Sequence, residues 1–118
     1  MTYVDGFLLP LPKKNIPAYR RMAQLGAKVW MEHGALEYRE CIGEDLDQTM
    51  MLPFPKTLAT KKGETVVLAW IVFKSRAHRD RVNKKVMADP RIAALAHKKM
   101  PFDCTRMVYG GFEVLVEG

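Results

Sequence analysis

Eight consecutive apolar residues, Val66-Val-Leu-Ala-Trp-Ile-Val-Phe73, constrain this chain more than any other feature. The run is far shorter than the roughly 18 residues a helix needs to cross a bilayer. It reads as a strand over Glu64 to Lys74. Successive strand residues face opposite sides of a sheet, so a strand without alternation is apolar on both faces and must be covered on both. Burying each large side chain is worth roughly 1.5–3 kcal/mol, so a row of them left in water would drive association.

The rest of the chain supplies cover for one face only. Tyr3 to Leu9 reads as a first strand, stopped by Pro10 and Pro12, which lack a ladder donor. Asn15 can cap a helix, with Pro17 tolerated in its first turn. From Ile16 to His33 the apolar positions Tyr19, Met22, Ala23, Gly26, Val29 and Trp30 fall on one helical arc, and Gly34 ends the helix. Leu36 to Ile42 alternates Leu36, Tyr38, Glu40 and Ile42 against Glu37, Arg39 and Cys41, as a strand with two unlike faces would. Residues 43–62 read as a loop with a short helix near Lys56 to Lys61. Ser75 caps a second helix to about Ala88, Asp89-Pro90 starts a further turn, and a last strand covers about Thr105 to Glu117. Gly110-Gly111 inside it predicts a bulge or a close backbone approach.

The order β-α-β-β-α-β is the ferredoxin-like arrangement, an α+β fold with an antiparallel four-stranded sheet, here one domain over residues 1–118. Its central strands are the first and third, and its two helices pack on the same side. The other face of the third strand then needs a second copy of the sheet. That is the physical case for a homodimer, with an interface of at least about 1,600 Å².

Composition narrows the class of protein. At 118 residues the chain fills one domain, and 48% hydrophobic with 27% charged residues describes a globular chain. The N-terminus has no basic leader, which predicts no export signal and no membrane partner. Cys41 and Cys104 stand alone in their segments, as free thiols of a reducing cytoplasm do, and neither has the close pairing of a zinc site. No metal or cofactor signature is present: the three histidines lie in separate elements, and Gly110-Gly111 lacks the context of a dinucleotide loop.

The net charge of +6 is unevenly placed. Residues 74–99 hold nine Lys or Arg against Asp80 and Asp89, a balance of +7, whereas the remainder holds ten basic and eleven acidic residues, a balance of −1. Arg76, Arg81, Lys84 and Lys85 could meet phosphates. No aromatic residue lies among them to stack on bases, which argues against a nucleic-acid partner and for a solvated helix face.

Together Tyr3-Val-Asp-Gly-Phe7, Gly34-Ala-Leu36 with Glu40-Cys41, the strand around Trp70, Ala88-Asp-Pro-Arg91, Pro101-Phe-Asp103 and Arg106-Met-Val-Tyr-Gly-Gly-Phe112 resemble the small bacterial YbaA-like proteins, the family of unknown function 1428. Cys104 stands where that pattern expects a small residue. The resemblance implies a dimeric α+β barrel, two ferredoxin-like sheets packed face to face, and assigns no activity.

Candidate chemistry rests on a few polar residues placed among apolar ones. His33, at the end of the first helix, could serve as a base near neutral pH or simply bond at the helix terminus. Asp5 shares strand parity with Tyr3, Phe7 and Leu9, and Glu40 with Leu36, Tyr38 and Ile42. A carboxylate on a covered face must be paired or shifted in pKa, and Arg106 and Arg39 are candidate partners. His33, Asp5 and Glu40 are the catalytic candidates, and Arg106, Tyr109 and Trp70 the ligand-binding ones. Asp103 should cap its own turn, with Arg106 as its clamp. Three readings stay open: a dimeric binding domain with a modest cavity between sheet and helices, a cofactor-independent monooxygenase-like enzyme, and a weak nucleic-acid binder acting through residues 74–99.

Overall fold

In the computed structural model, which describes residues 2–118, four strands form one antiparallel sheet in the order β2-β3-β1-β4. They are β1 (Tyr3–Pro12), β2 (Glu37–Ile42), β3 (Glu64–Phe73) and β4 (Val108–Glu113). Helix α1 (Ile16–Glu32) links β1 to β2, and a loop carrying the short α2 (Phe54–Thr57) links β2 to β3. After β3 come α3 (Arg76–Met87), α4 (Pro90–Ala93) and a largely irregular segment leading to β4. This is the ferredoxin-like βαββαβ order with β1 and β3 central. No helix among the described residues is long and apolar enough to cross a membrane.

Strand parity decides what each face carries. Tyr3, Asp5, Leu9 and Leu11 of β1 and Val67, Ala69, Ile71 and Phe73 of β3 are buried beneath the helices. The helical arc read from the sequence is the packed one, since Tyr19, Ala23, Gly26 and Val29 are its buried residues. The even residues of β3 point the other way, where Val66 is buried but Leu68 is 41% exposed. The core forms two clusters, one around Phe73, Val29, Val82 and Val86 and one around Leu9, Leu11, Tyr19 and Val67, with Phe7 packed against both.

Four local expectations need correction. Pro10 and Pro12 do not stop β1, which runs to Pro12 paired with Glu64. The amide of Lys13 donates to Gly63 O at 2.8 Å, so odd positions direct their N–H toward β3. The prolines lack N–H groups on the opposite edge, where pairing with β4 has already ended at Leu8–Val108. The last strand is shorter than expected, because Cys104–Arg106 forms a 3₁₀ turn and pairing ends at Glu113. Its glycines form no bulge, as the β1–β4 register is unbroken. Gly111 instead lies under the Tyr3 ring, in space a Cβ would need. The short helix in the long loop begins at Phe54 rather than near Lys56.

Helix ends follow local chemistry, with one exception. Ser75 Oγ accepts from the His78 amide and the Asp89 side chain from the Arg91 amide. Gly34 adopts φ +114° just after α1, where a side chain would be strained. Asn15 makes no cap bond, because its Nδ2 donates to Pro101 O at 2.8 Å, 86 residues away.

Candidate functional site

A cavity of about 650 Å³ opens on the helix side of the sheet, where the two core clusters meet. Its floor is Phe7, Leu9, Ala69 and Ile71; its wall is the α1 face from Tyr19 to Trp30. The roof is the segment after α3, through Ile92, Leu95, Met100, Phe102 and Met107. Helix α3 is short and carries only Val82 and Val86 as buried residues, so it cannot blanket the whole sheet, and the irregular segment spans the gap.

Both ends of the roof are tied to α1. At one end Asn15 holds Pro101, and the Phe102 ring meets Tyr19 edge-on with centroids 5.7 Å apart. At the other, His33 Nε2 lies 2.9 Å from Asp89 Oδ2, and Arg91 reaches both Asp89 and Glu32. The Arg91 guanidinium first, and the His33 ring second, hold the Asp89 carboxyl well below the usual carboxylate range.

Glu40 is the polar feature of this cavity. Tyr19 Oη donates to its Oε1 at 2.7 Å and Tyr38 Oη to its Oε2 at 2.7 Å. Burial, and then the Glu40 carboxylate, push both phenols far above the ordinary tyrosine range, so each keeps its proton and stays a donor. Tyr19, Tyr38 and Glu40 also line an adjoining cavity of about 340 Å³, which reaches Gln24, Cys41 and Ile42. A carboxylate with two fixed neutral donors thus stands in the wall common to both spaces.

Of the six sequence-chosen residues, only Glu40 lines these cavities. His33 serves the roof tie. Asp5 is 1% exposed and pairs with Arg79, whose Nη1 lies 2.7 Å from Oδ1, and not with Arg106 or Arg39. Asn83 Nδ2 donates to Asp5 at 3.4 Å, Tyr109 Oη accepts from Arg79 at 2.8 Å, and the guanidinium lies 5.0 Å from the Tyr3 ring centre. Asp5 and Tyr109 therefore belong to one network around Arg79 of α3, buried at Asp5 and open to solvent at Tyr109. Arg106 grips Glu64 with both Nη atoms, at 2.7 and 3.0 Å, leaving Asp103 to cap its turn through Thr105. Arg39 lies 3.5 Å from Glu37. Trp70 has even parity, so it stands on the open sheet face away from the cavity, with Nε1 donating to Glu37 at 2.7 Å.

Sequence reasoning missed Tyr19, Tyr38 and the roof. Tyr38 shares strand parity with Glu40 and Tyr19 lies on the buried arc, so both faces were visible. Only the fold brings α1 against β2 and joins the three.

The chain matches the family model described as "Protein of unknown function (DUF1428)" over residues 2–104. It is 39% identical over 117 residues to the uncharacterized protein YbaA of Escherichia coli strain K12, covering 99% of each chain, and equally similar to YbaA of Shigella flexneri. Among solved structures it is similar to Rv0793 from Mycobacterium tuberculosis, with a TM-score of 0.58, 11% identity, and coverage of 99% of this chain and 98% of that one. At that identity the likeness is one of fold.

Proposed function

The chain belongs to the DUF1428 family of proteins of unknown function, and from that membership we propose that it is a homodimeric binding protein of the bacterial cytoplasm that takes up a small, largely apolar molecule. The observation that carries the binding role is the cavity itself. Its volume, about 650 Å³, lies within the roughly 300–1,000 Å³ usual for small-molecule sites, and its lining is apolar and aromatic around a single well-oriented polar cluster. The two free cysteines suit a reducing compartment.

The dimer rests on the open sheet face. Leu68, Val108 and Phe112 are 41%, 51% and 61% exposed there, beside the half-buried Trp70 and Val72. A flat sheet face with this many apolar side chains is matched by its own copy, as in two sheets packed face to face.

His33 and Asp5 stand outside the cavity in ion pairs of their own, which weighs against an oxygenase built on them. Titration calorimetry with 1-octanol tests the binding role. Saturable uptake near one molecule per chain is expected, and no heat at millimolar octanol would refute it. Light scattering on the same sample tests the dimer.

A further inference from the structure

We propose that the cavity selects organic cations, amines with an apolar body, and that Glu40 is the residue that selects them. This deepens the binding role just proposed and rests on it. The protein pairs its other shielded carboxylates with cations of its own. Asp5 has Arg79, Glu64 has Arg106, and Asp89 has both Arg91 and His33. Glu40 is half-buried too, yet among the described residues no lysine, arginine or histidine forms an ion pair with it. Its side-chain partners among the described residues are two neutral phenols.

Two donors do not exhaust a carboxylate, which offers about four acceptor positions. The phenols fix the orientation of the group and leave lone pairs on both oxygens. A charge so placed, beside an apolar cavity and without a counter-ion from the protein, is matched by a ligand that brings one. The surroundings suit the same ligand. Phe7, Tyr19, Trp30, Tyr38 and Phe102 all line the space, and well-placed aromatic faces attract ammonium groups. Methionines 22, 87, 100 and 107 complete the lining with flexible thioethers, which adapt to apolar bodies of different shape.

The opposing charges do not change the sign. Lys98 is the one other charged residue of the larger cavity, and it is exposed on the roof segment, where water screens it. Arg20 lines the smaller cavity and is likewise exposed. The neutral hydrogen-bonding alternative, an alcohol, would satisfy a lone pair but leave the charge uncompensated.

Three probes with the same eight-carbon body separate these cases: octylammonium, 1-octanol and octanoate, titrated calorimetrically into the full chain near pH 7. Octylammonium is expected to bind about tenfold more tightly than octanol, the usual advantage of a charge-assisted over a neutral hydrogen bond, and octanoate more weakly than either. In Glu40→Gln the ammonium preference should fall to within about twofold while octanol affinity holds, with an unchanged melting curve confirming the fold. Tyr19→Phe, which frees Oε1, should raise the preference, and if the glutamine variant does not fold, a preference left unchanged by Tyr19→Phe overturns the assignment to Glu40. Octanol binding without an ammonium preference would overturn cation selection and leave the binding role standing. A preference that survives in Glu40→Gln would move the cation away from this residue and overturn the proposal. If none of the three probes binds, the cavity is not a ligand site and both readings fall.

Discussion

The Tyr38 hydroxyl and the Glu40 carboxylate sit two residues apart on β2, on the same face, joined by a hydrogen bond of 2.7 Å. Neighbours at this spacing on a strand run parallel, and an unassisted tyrosine would project past the shorter glutamate. The phenol is received by α1, where Gly26 leaves room for it: a Cβ at that position would stand 3.0 Å from Tyr38 Oη. The glycine in the middle of α1, a poor helix former, is thus explained by the site across from it.

Gly26→Ala should therefore destabilise the protein although it improves helix propensity. The gain in propensity is about 1 kcal/mol. Displacing a hydrogen bond to a charged group costs about 1.5–3 kcal/mol, so the net loss should be about 1 kcal/mol. Chemical denaturation measures it. In a Tyr38→Phe background, where the hydroxyl is gone, the same substitution should become neutral or stabilising. Equal effects in both backgrounds would detach Gly26 from the phenol.

Leu68→Lys addresses the open sheet face. The side chain is 41% exposed in a single chain, so a lysine there has access to water and should leave the isolated fold intact. In a face-to-face dimer it would place a charge in the seam, and the change should shift light-scattering mass from two chains toward one or produce aggregation. A wild-type protein that is monomeric at high micromolar concentration would remove the dimer altogether.

Much of this architecture is legible in the residues themselves. The unalternating run around Trp70 marks a central strand, which β3 is, and the helical arc from Tyr19 to Trp30 marks the packed side of α1. What parity alone does not disclose is which face of β3 the helices take, and so Trp70, the largest residue of the run, falls on the open side. The site is harder to read because ion pairs are set by tertiary distance. Asp5 and Arg79 are 74 residues apart. Helical phase sets Arg79 on the Val82 and Val86 side of α3, apart from the solvent-facing Arg76 and Arg81, but no local pattern says which carboxylate it meets. The roof is hidden for a different reason: residues 94–107 have no period, only scattered apolar side chains held down by Asn15, Asp89 and Arg91.

Asp5→Ala should be among the most damaging substitutions in the chain. It removes the carboxylate from a network in which Arg79 is only 13% exposed, leaving a guanidinium with Tyr109, the exposed Asp80 and the Tyr3 ring as partners. Breaking a buried pair from one side costs about 3–5 kcal/mol. Replacing both partners, as in Asp5→Ala with Arg79→Met, should recover a large part of that loss in the same denaturation measurement. A double variant no better than the single one would show that the cavity left by Asp5, and not the stranded charge, sets the cost.

The roof tie at Asp89 predicts an acid-sensitive element. Its carboxyl is held below the usual range by Arg91 and His33, so its folded-state pKa lies under the unfolded value of about 3.9. A group depressed in this way contributes stability that is fully present above the unfolded value and drains away as pH falls through the folded one. Wild type should accordingly lose melting temperature between pH 5 and pH 2 faster than Asp89→Asn, a variant that keeps a good helix cap for α4 but has nothing to protonate. Near pH 6 the variant should melt lower, with the two curves converging in acid as the wild-type carboxylate takes up its proton. Glu64 and Asp103, also depressed by their partners, titrate in both proteins and cancel in the comparison. Curves that run parallel over the whole range would mean that the His33–Asp89–Arg91 tie holds no part of the fold, and that the roof over the cavity is kept in place by Asn15 and the packing of Phe102 alone.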